Sequence, residues 1–203
     1  MPSYVPRTTS PVGSYNPCWQ TNLYGASWND NWNTCIYGSP AQVGANVLCN
    51  CTGYAQGRSV EIWIHFTGHT PQETFSHPFD MLNGDAGGWA ARAALYGFEI
   101  GYEPKPGAIL ETATHVAIVE EKVNDDLWYV SESGYDTLPP FSYSTSLYRE
   151  NGVWRSYYTG QVVNQFIYNP YVPDSPGPTP PPRRKMPFIY YLKNWNNEPS
   201  PFF

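Results

Sequence analysis

The stretch Thr114-His115-Val116-Ala117-Ile118-Val119-Glu120-Glu121-Lys122-Val123-Asn124-Asp125-Asp126-Leu127-Trp128-Tyr129-Val130-Ser131-Glu132 decides the fold. Two runs rich in β-branched and aromatic residues flank Asn124-Asp125-Asp126, a cluster of turn formers. The segment reads as an antiparallel hairpin with strands over 114–123 and 127–132. A further strand over 107–111 follows the turn Pro104-Lys105-Pro106-Gly107, and two more are expected over 153–159 and 163–168. What precedes is helical in pattern. Asn50 is a natural N-cap for a helix over 51–66. Trp89, Ala90, Ala93 and Ala94 supply the apolar positions of a second helix over 88–96, with Gly97 as its C-cap. Helices first and an antiparallel sheet after them make an α+β fold, with amino-terminal helices packed on the sheet.

The hairpin also carries chemistry. His115 opens its first strand, so its ring can project from a sheet edge toward a helix start, and Glu132 ends its second. The helix start that matters is Cys49-Asn50-Cys51-Thr52-Gly53-Tyr54-Ala55-Gln56-Gly57-Arg58. Cys51 falls in the first helical turn, where unpaired backbone N–H groups and the positive end of the helix dipole stabilise a thiolate. The same N–H groups can hold the oxyanion that forms on an attacked carbonyl. Cys49 precedes the cap and gains neither benefit, so it reads as a packing residue. A Cys on a helix start, a His on a strand and an acid on the next strand are the parts of a thiol hydrolase. Cys51 is the candidate nucleophile, His115 the base and Glu132 the group that orients the imidazole. Asn50 and Thr52 are candidate support for the oxyanion, with helix capping the alternative role of Asn50. Gly53, Gly57 and Arg58 serve helix packing and a surface ion pair equally well.

The hairpin register tests the pairing of His115 with Glu132. A turn centred between Val123 and Asn124 puts them opposite each other. One centred between Asn124 and Asp125 makes them diagonal neighbours, still within side-chain reach. One centred on Asp125 puts them on opposite faces, because a one-residue slip inverts every side chain. The first or second register, or a bulge with the same result, is expected.

Composition narrows the function classes. The chain has 203 residues, enough for one domain with extensions, and 14% charged residues against 17% aromatic ones. A net charge of −6 without a basic stripe argues against nucleic acid as a partner. Seventeen Tyr and 8 Trp suit a groove for sugars or peptides, or simply an aromatic core. No apolar run approaches the ~20 residues of a membrane span, and the stretch Met1–Arg7 lacks the apolar centre of a secretory signal. Synthesis in a cytoplasm is expected, with any extracellular target reached by another route. Four cysteines do not make a disulfide scaffold at this length. Cys18 and Cys35 could pair in an oxidising setting, but mostly free thiols are expected.

Residues 1–35, rich in Pro, Ser, Asn, Tyr and Trp, read as an irregular amino-terminal extension, and 36–171 as the organised domain. Seven of residues 170–182 are proline, so 172–185 reads as an extended linker. A short aromatic tail, 186–203, follows it.

These motifs resemble the CHAP family, the cysteine- and histidine-dependent amidohydrolase/peptidases. The resemblance rests on Asn50-Cys51-Thr52 with Tyr54 and Arg58, then on Pro104-Lys105-Pro106-Gly107-Ala108-Ile109. His115 to Glu120 and Ser131-Glu132 with Tyr135 complete the core motifs. Trp89 with its following alanines and Phe166-Ile167-Tyr168 also match, so the likeness covers about residues 40–170. It implies a papain-like α+β fold and hydrolysis of bacterial peptidoglycan by Cys51, His115 and Glu132. Two positions depart from the family pattern: Gly134 stands where many relatives carry an Asn, and Gly53 where an aromatic is common. Some relatives bind calcium before the nucleophile. Asn29, Asp30, Asn31 and Asn33 are short of carboxylates for a hard cation, so no metal and no cofactor are expected. Small size, the proline linker and the lack of a signal sequence resemble a bacteriophage lysin or virion-associated enzyme, made in the host cytoplasm and acting on the wall.

Three other readings compete. Cys49-x-Cys51 with His65-x3-His69 resembles a zinc finger, but its cysteine spacing is too short. A Cys-His-His site needs a histidine after His115, and none follows. A non-catalytic wall-binding or virion structural module is the alternative from a different class.

Overall fold

The computed structural model describes residues 2–11, 17–19, 34–35, 39–40, 50–69, 77–79, 81–82, 84–134 and 141–173. The chain is α+β. An amino-terminal helix, α1 (Cys51–Thr67), packs against a seven-stranded antiparallel sheet. The sheet comprises β3 (Ile100–Gly101), β4 (Ile109–Glu111), β5 (Val116–Asn124), β6 (Leu127–Ser133), β7 (Phe141–Glu150), β8 (Val153–Ser156) and β9 (Gln165–Ile167). Their spatial order is β3-β9-β4-β5-β6-β7-β8. Two short strands, β1 (Thr34–Cys35) and β2 (Ser39–Pro40), pair separately. A second helix, α2 (Trp89–Leu95), follows a 3-10 turn at Ala86–Gly88.

Helix α1 begins where its cap dictates. Asn50 is extended, and its side chain accepts the Thr52 N–H. Gly68 ends the helix at φ 70°, its N–H bonded to the Ile64 carbonyl. Every residue from Cys51 to Val60 is buried, although Gln56, Arg58 and Ser59 are polar. Each has a partner: Gln56 donates to the Phe79 carbonyl at 3.0 Å and Ser59 to the Ala55 carbonyl at 2.8 Å. Arg58 pairs with Glu120 on β5 at 3.0 Å. That ion pair is buried rather than superficial, with Arg58 5% and Glu120 1% exposed. Such a pair is stable only when the remaining polar atoms are also satisfied. Tyr4, the Arg7 N–H and Ser131 complete the shell around Glu120, and Glu61 bonds both Arg7 and Arg58.

Residues 2–11 therefore lie along α1 and β5. Cys18 and Trp19 go further and enter the main core with Tyr54, Ile62 and Trp89. Gly57 makes this approach possible, since a Cβ there would stand 2.4 Å from the Cys18 carbonyl oxygen. The first half of β5, from Val116 to Glu120, is buried on both faces. Val116 and Ile118 belong to the helix-side core, and Ala117 and Val119 to a second cluster with Leu110, Trp128, Leu147 and Phe166.

Several boundaries differ from expectation. Strand β5 starts at Val116, so His115 precedes it instead of opening it. Strands β8 and β9 are shorter than the runs expected over 153–159 and 163–168, and β7, ten residues long, is a strand beyond those expected. Helix α2 ends with Tyr96 at the C-cap, and Gly97 takes the left-handed position beyond it at φ 84°. The linker beyond residue 173, the tail 186–203, Asn29 to Asn33, Cys49 and Tyr135 lie outside the described residues, as does the side chain of Cys35. Among the described residues no helix is long and apolar enough to cross a membrane.

Candidate active site

Cys51, His115 and Glu132 come together where the start of α1 meets the base of β5. Each is placed by a different local device. The cap at Asn50 puts Cys51 in the first turn of α1. His115 leaves a tight turn between β4 and β5. Its N–H donates to Thr112 Oγ1 at 3.0 Å, and its carbonyl accepts the Thr112 N–H at 2.8 Å. Both backbone polar groups are thus fixed before the side chain is considered.

Glu132 is placed by the hairpin register. The turn pairs Asn124 with Leu127, leaving Asp125-Asp126 as its two-residue loop. From there the register shifts twice, between Lys122 and Asn124 and between Val119 and Glu121. Val123 and Glu120 are the extra residues of two bulges. Beyond them Val119 pairs with Val130 and Ile118 with Ser131. Glu132 therefore stands opposite Ala117 and diagonal to His115, on the same face. A single bulge would have left the two on opposite faces; the second restores the parity.

The resulting contact is short. His115 Nε2 lies 2.8 Å from Glu132 Oε2. The other carboxylate oxygen, Oε1, accepts from Ser146 Oγ at 3.0 Å and Ser142 Oγ at 3.4 Å, both on β7. With Nε2 engaged by Glu132, Nδ1 is the ring nitrogen left for the thiol. Exposure falls from 9% at Cys51 to 4% at His115 and 1% at Glu132. Cys51 is thus the most open of the three residues.

Electrostatics follow from these contacts. Burial pushes the Cys51 thiol up, but the hydrogen bond and charge of His115, with backbone hydrogen bonds from Val116 and Thr52, outweigh it. The net shift is downward from 9.0. Burial lowers His115, but its bonds to Cys51 and Glu132 prevail and raise it to about 9. Both shifts favour a thiolate beside an imidazolium. Such a pair can attack an electrophilic carbon and then return a proton to the leaving group.

The other expected contributors fall out differently. Asn50 Oδ1 is engaged as the helix cap and lies 3.6 Å from Cys51 Sγ. Thr52 is buried and acts through its backbone. His65 bonds the Ser3 carbonyl at 2.8 Å, and the His69 ring lies 5.8 Å from that of Trp63. Among the described residues no cluster of three or more His, Cys, Asp or Glu could hold a metal.

Two features of the site escaped the sequence reading. One is the serine face of β7 behind Glu132. Its signal was the alternation of Phe141, Tyr143, Thr145 and Leu147 with Ser142, Ser144 and Ser146. The other is Tyr158, whose ring stacks on that of His115 with centroids 4.9 Å apart and planes inclined at 27°. No local pattern signals a contact so far along the chain.

No protein-family model and no curated protein matches the chain. Among solved structures, it is similar to an N-acetylmuramoyl-L-alanine amidase from Staphylococcus aureus, at 22% identity and a TM-score of 0.36. That likeness covers 59% of this chain and 30% of the amidase chain, so the protein spans less than a third of the length of the chain it matches.

Proposed function

We propose that the protein is a thiol hydrolase that cleaves an amide bond of bacterial peptidoglycan. Cys51 is the nucleophile, His115 the general base and acid, and Glu132 the group that orients and charge-stabilises the imidazole. The observation that carries this reading is the His115–Glu132 contact of 2.8 Å beside a cysteine in the first turn of a buried helix.

The reaction runs in two stages. The Cys51 thiolate attacks the amide carbonyl, and backbone N–H groups near Cys51, with Asn50 and Thr52 around them, hold the oxyanion. The His115 imidazolium protonates the leaving amine, giving an acyl-enzyme. Neutral His115 then takes a proton from water, which attacks the thioester and frees the acid with Cys51 regenerated. Cysteine, imidazole and carboxylate suffice for these steps.

Peptidoglycan as the substrate rests on the CHAP-like motifs at Asn50-Cys51-Thr52, His115 to Glu120 and Ser131-Glu132. The bond is either the one joining muramic acid to L-alanine or one within the stem peptide or cross-bridge. Action at the wall as a phage lysin or virion-associated enzyme is part of the same proposal. Release of soluble fragments from purified, dye-labelled walls tests it. Wild type should release dye and Cys51→Ala should not, and a wild type without release on walls from diverse bacteria would refute the substrate class.

A further inference from the structure

We propose that Tyr158 is a positioning residue for His115, its phenol ring clamping one face of the imidazole and holding it as an imidazolium between Cys51 and Glu132. This deepens the reading of Cys51 and His115 as the reacting pair and rests on it.

The stacking is face to face rather than edge to face, with centroids 4.9 Å apart and planes 27° from parallel. A ring in that position opposes rotation of the imidazole about its bond to the Cβ atom. That motion would break the contacts to Cys51 and Glu132 together. His115 is 4% exposed and Tyr158 44%. The tyrosine thus covers the histidine while standing in solvent itself. An aromatic face also attracts a cation, and more strongly when that cation is shielded from water.

The turn that carries Tyr158 is anchored to both sides of the site. The Tyr157 N–H donates to the Ser146 carbonyl at 2.6 Å, and the hydroxyl of the same serine holds Glu132. At the other end, Gln161 Nε2 donates to Thr114 Oγ1 at 3.0 Å, beside His115 in sequence. The Ser156 N–H closes the turn on the Gln161 carbonyl at 2.9 Å. These contacts fix the backbone of Tyr158 beside the histidine. Among the described residues, the ionisable side chains meeting His115 are Cys51 from α1, Glu132 from β6 and Tyr158 from this turn. A carboxylate, a thiolate and a ring face all favour the charged imidazole.

The test uses the whole chain with Tyr158 replaced by Phe, Leu or Ala. The His115 titration is followed by NMR without any wall substrate, and Tm is recorded for each variant. Tyr158→Phe keeps the ring and should titrate like wild type. Tyr158→Leu keeps apolar cover without a ring face. It should titrate about half a pH unit lower or more, as should Tyr158→Ala. In wall hydrolysis the Leu and Ala variants should lose kcat with KM little changed. A His115 titration unmoved in folded Tyr158→Leu overturns the proposal, and so does a change confined to KM, which would make Tyr158 a substrate contact. The titration is read without substrate, so it decides the role of Tyr158 even if Cys51→Ala shows that the hydrolase reading is wrong.

Discussion

His115 and Glu132 meet at 2.8 Å across a hairpin that changes register twice between its turn and the site. The carboxylate is shared: one oxygen faces His115 and the other is held by Ser146 and Ser142. Its charge and its orientation are therefore separable. Glu132→Gln keeps the shape and removes the charge. Hydrolysis should fall by about tenfold or more, while the cooperative thermal transition is retained. Full activity in Glu132→Gln would make the glutamate a bystander.

Ser146→Ala removes the nearer hydroxyl from a buried carboxylate. The expected loss is about 1–3 kcal/mol of stability in urea unfolding, together with a lower kcat. Ser142→Ala should do less on both counts, because its contact is longer at 3.4 Å. No effect from either substitution would show that the serine face of β7 does not hold Glu132.

The pH dependence has a definite sign. Cys51 is lowered from its ordinary value, so its thiolate persists below the usual thiol range. His115 is raised to about 9, so its proton persists well above neutrality. The ion pair exists between the two. Falling pH protonates the sulfur, and rising pH strips the proton that the leaving amine needs. Hydrolysis should trace a bell with its alkaline limb near 9. Alkylation of Cys51 by iodoacetamide needs only the thiolate and should not fall on that limb. An alkaline limb near the ordinary imidazole value of 6.5 would contradict the pairing.

Stability should depend on a network away from the reacting atoms. Arg58→Ala would strand the Glu120 carboxylate in the core and cost about 3–5 kcal/mol. Gly57→Ala would press a methyl group into the Cys18 carbonyl and the Trp19 ring, at about 1–3 kcal/mol. Both are read by denaturant unfolding, and the folded fraction should keep its activity per molecule. Wild-type stability in Arg58→Ala would mean that the ion pair does not brace α1 against β5.

The two ends of the site were legible in the sequence for local reasons. An Asn before a helical run announces its cap, and two β-rich runs around Asn124-Asp125-Asp126 announce a hairpin. The alternative registers could be enumerated, but the choice among them could not, because the bulges fall at Glu120 and Val123 without a glycine or proline to mark them. Strand β7 carries alternating serines whose partners, Glu132 and β6, lie outside its own segment. Arg58 looked like a surface ion-pair former because its carboxylate partner lies 62 residues later. Tyr4, Trp19 and Tyr158 likewise depend on contacts made only when distant segments meet.

Mass spectrometry of purified peptidoglycan digested by the wild type and by Cys51→Ala reads the chemistry itself. The wild type should release muropeptides with one new kind of amine and carboxyl terminus, identifying the amide bond cut, and folded Cys51→Ala should release none. The same fragments from both proteins, or none from either, would contradict a Cys51-dependent wall hydrolase.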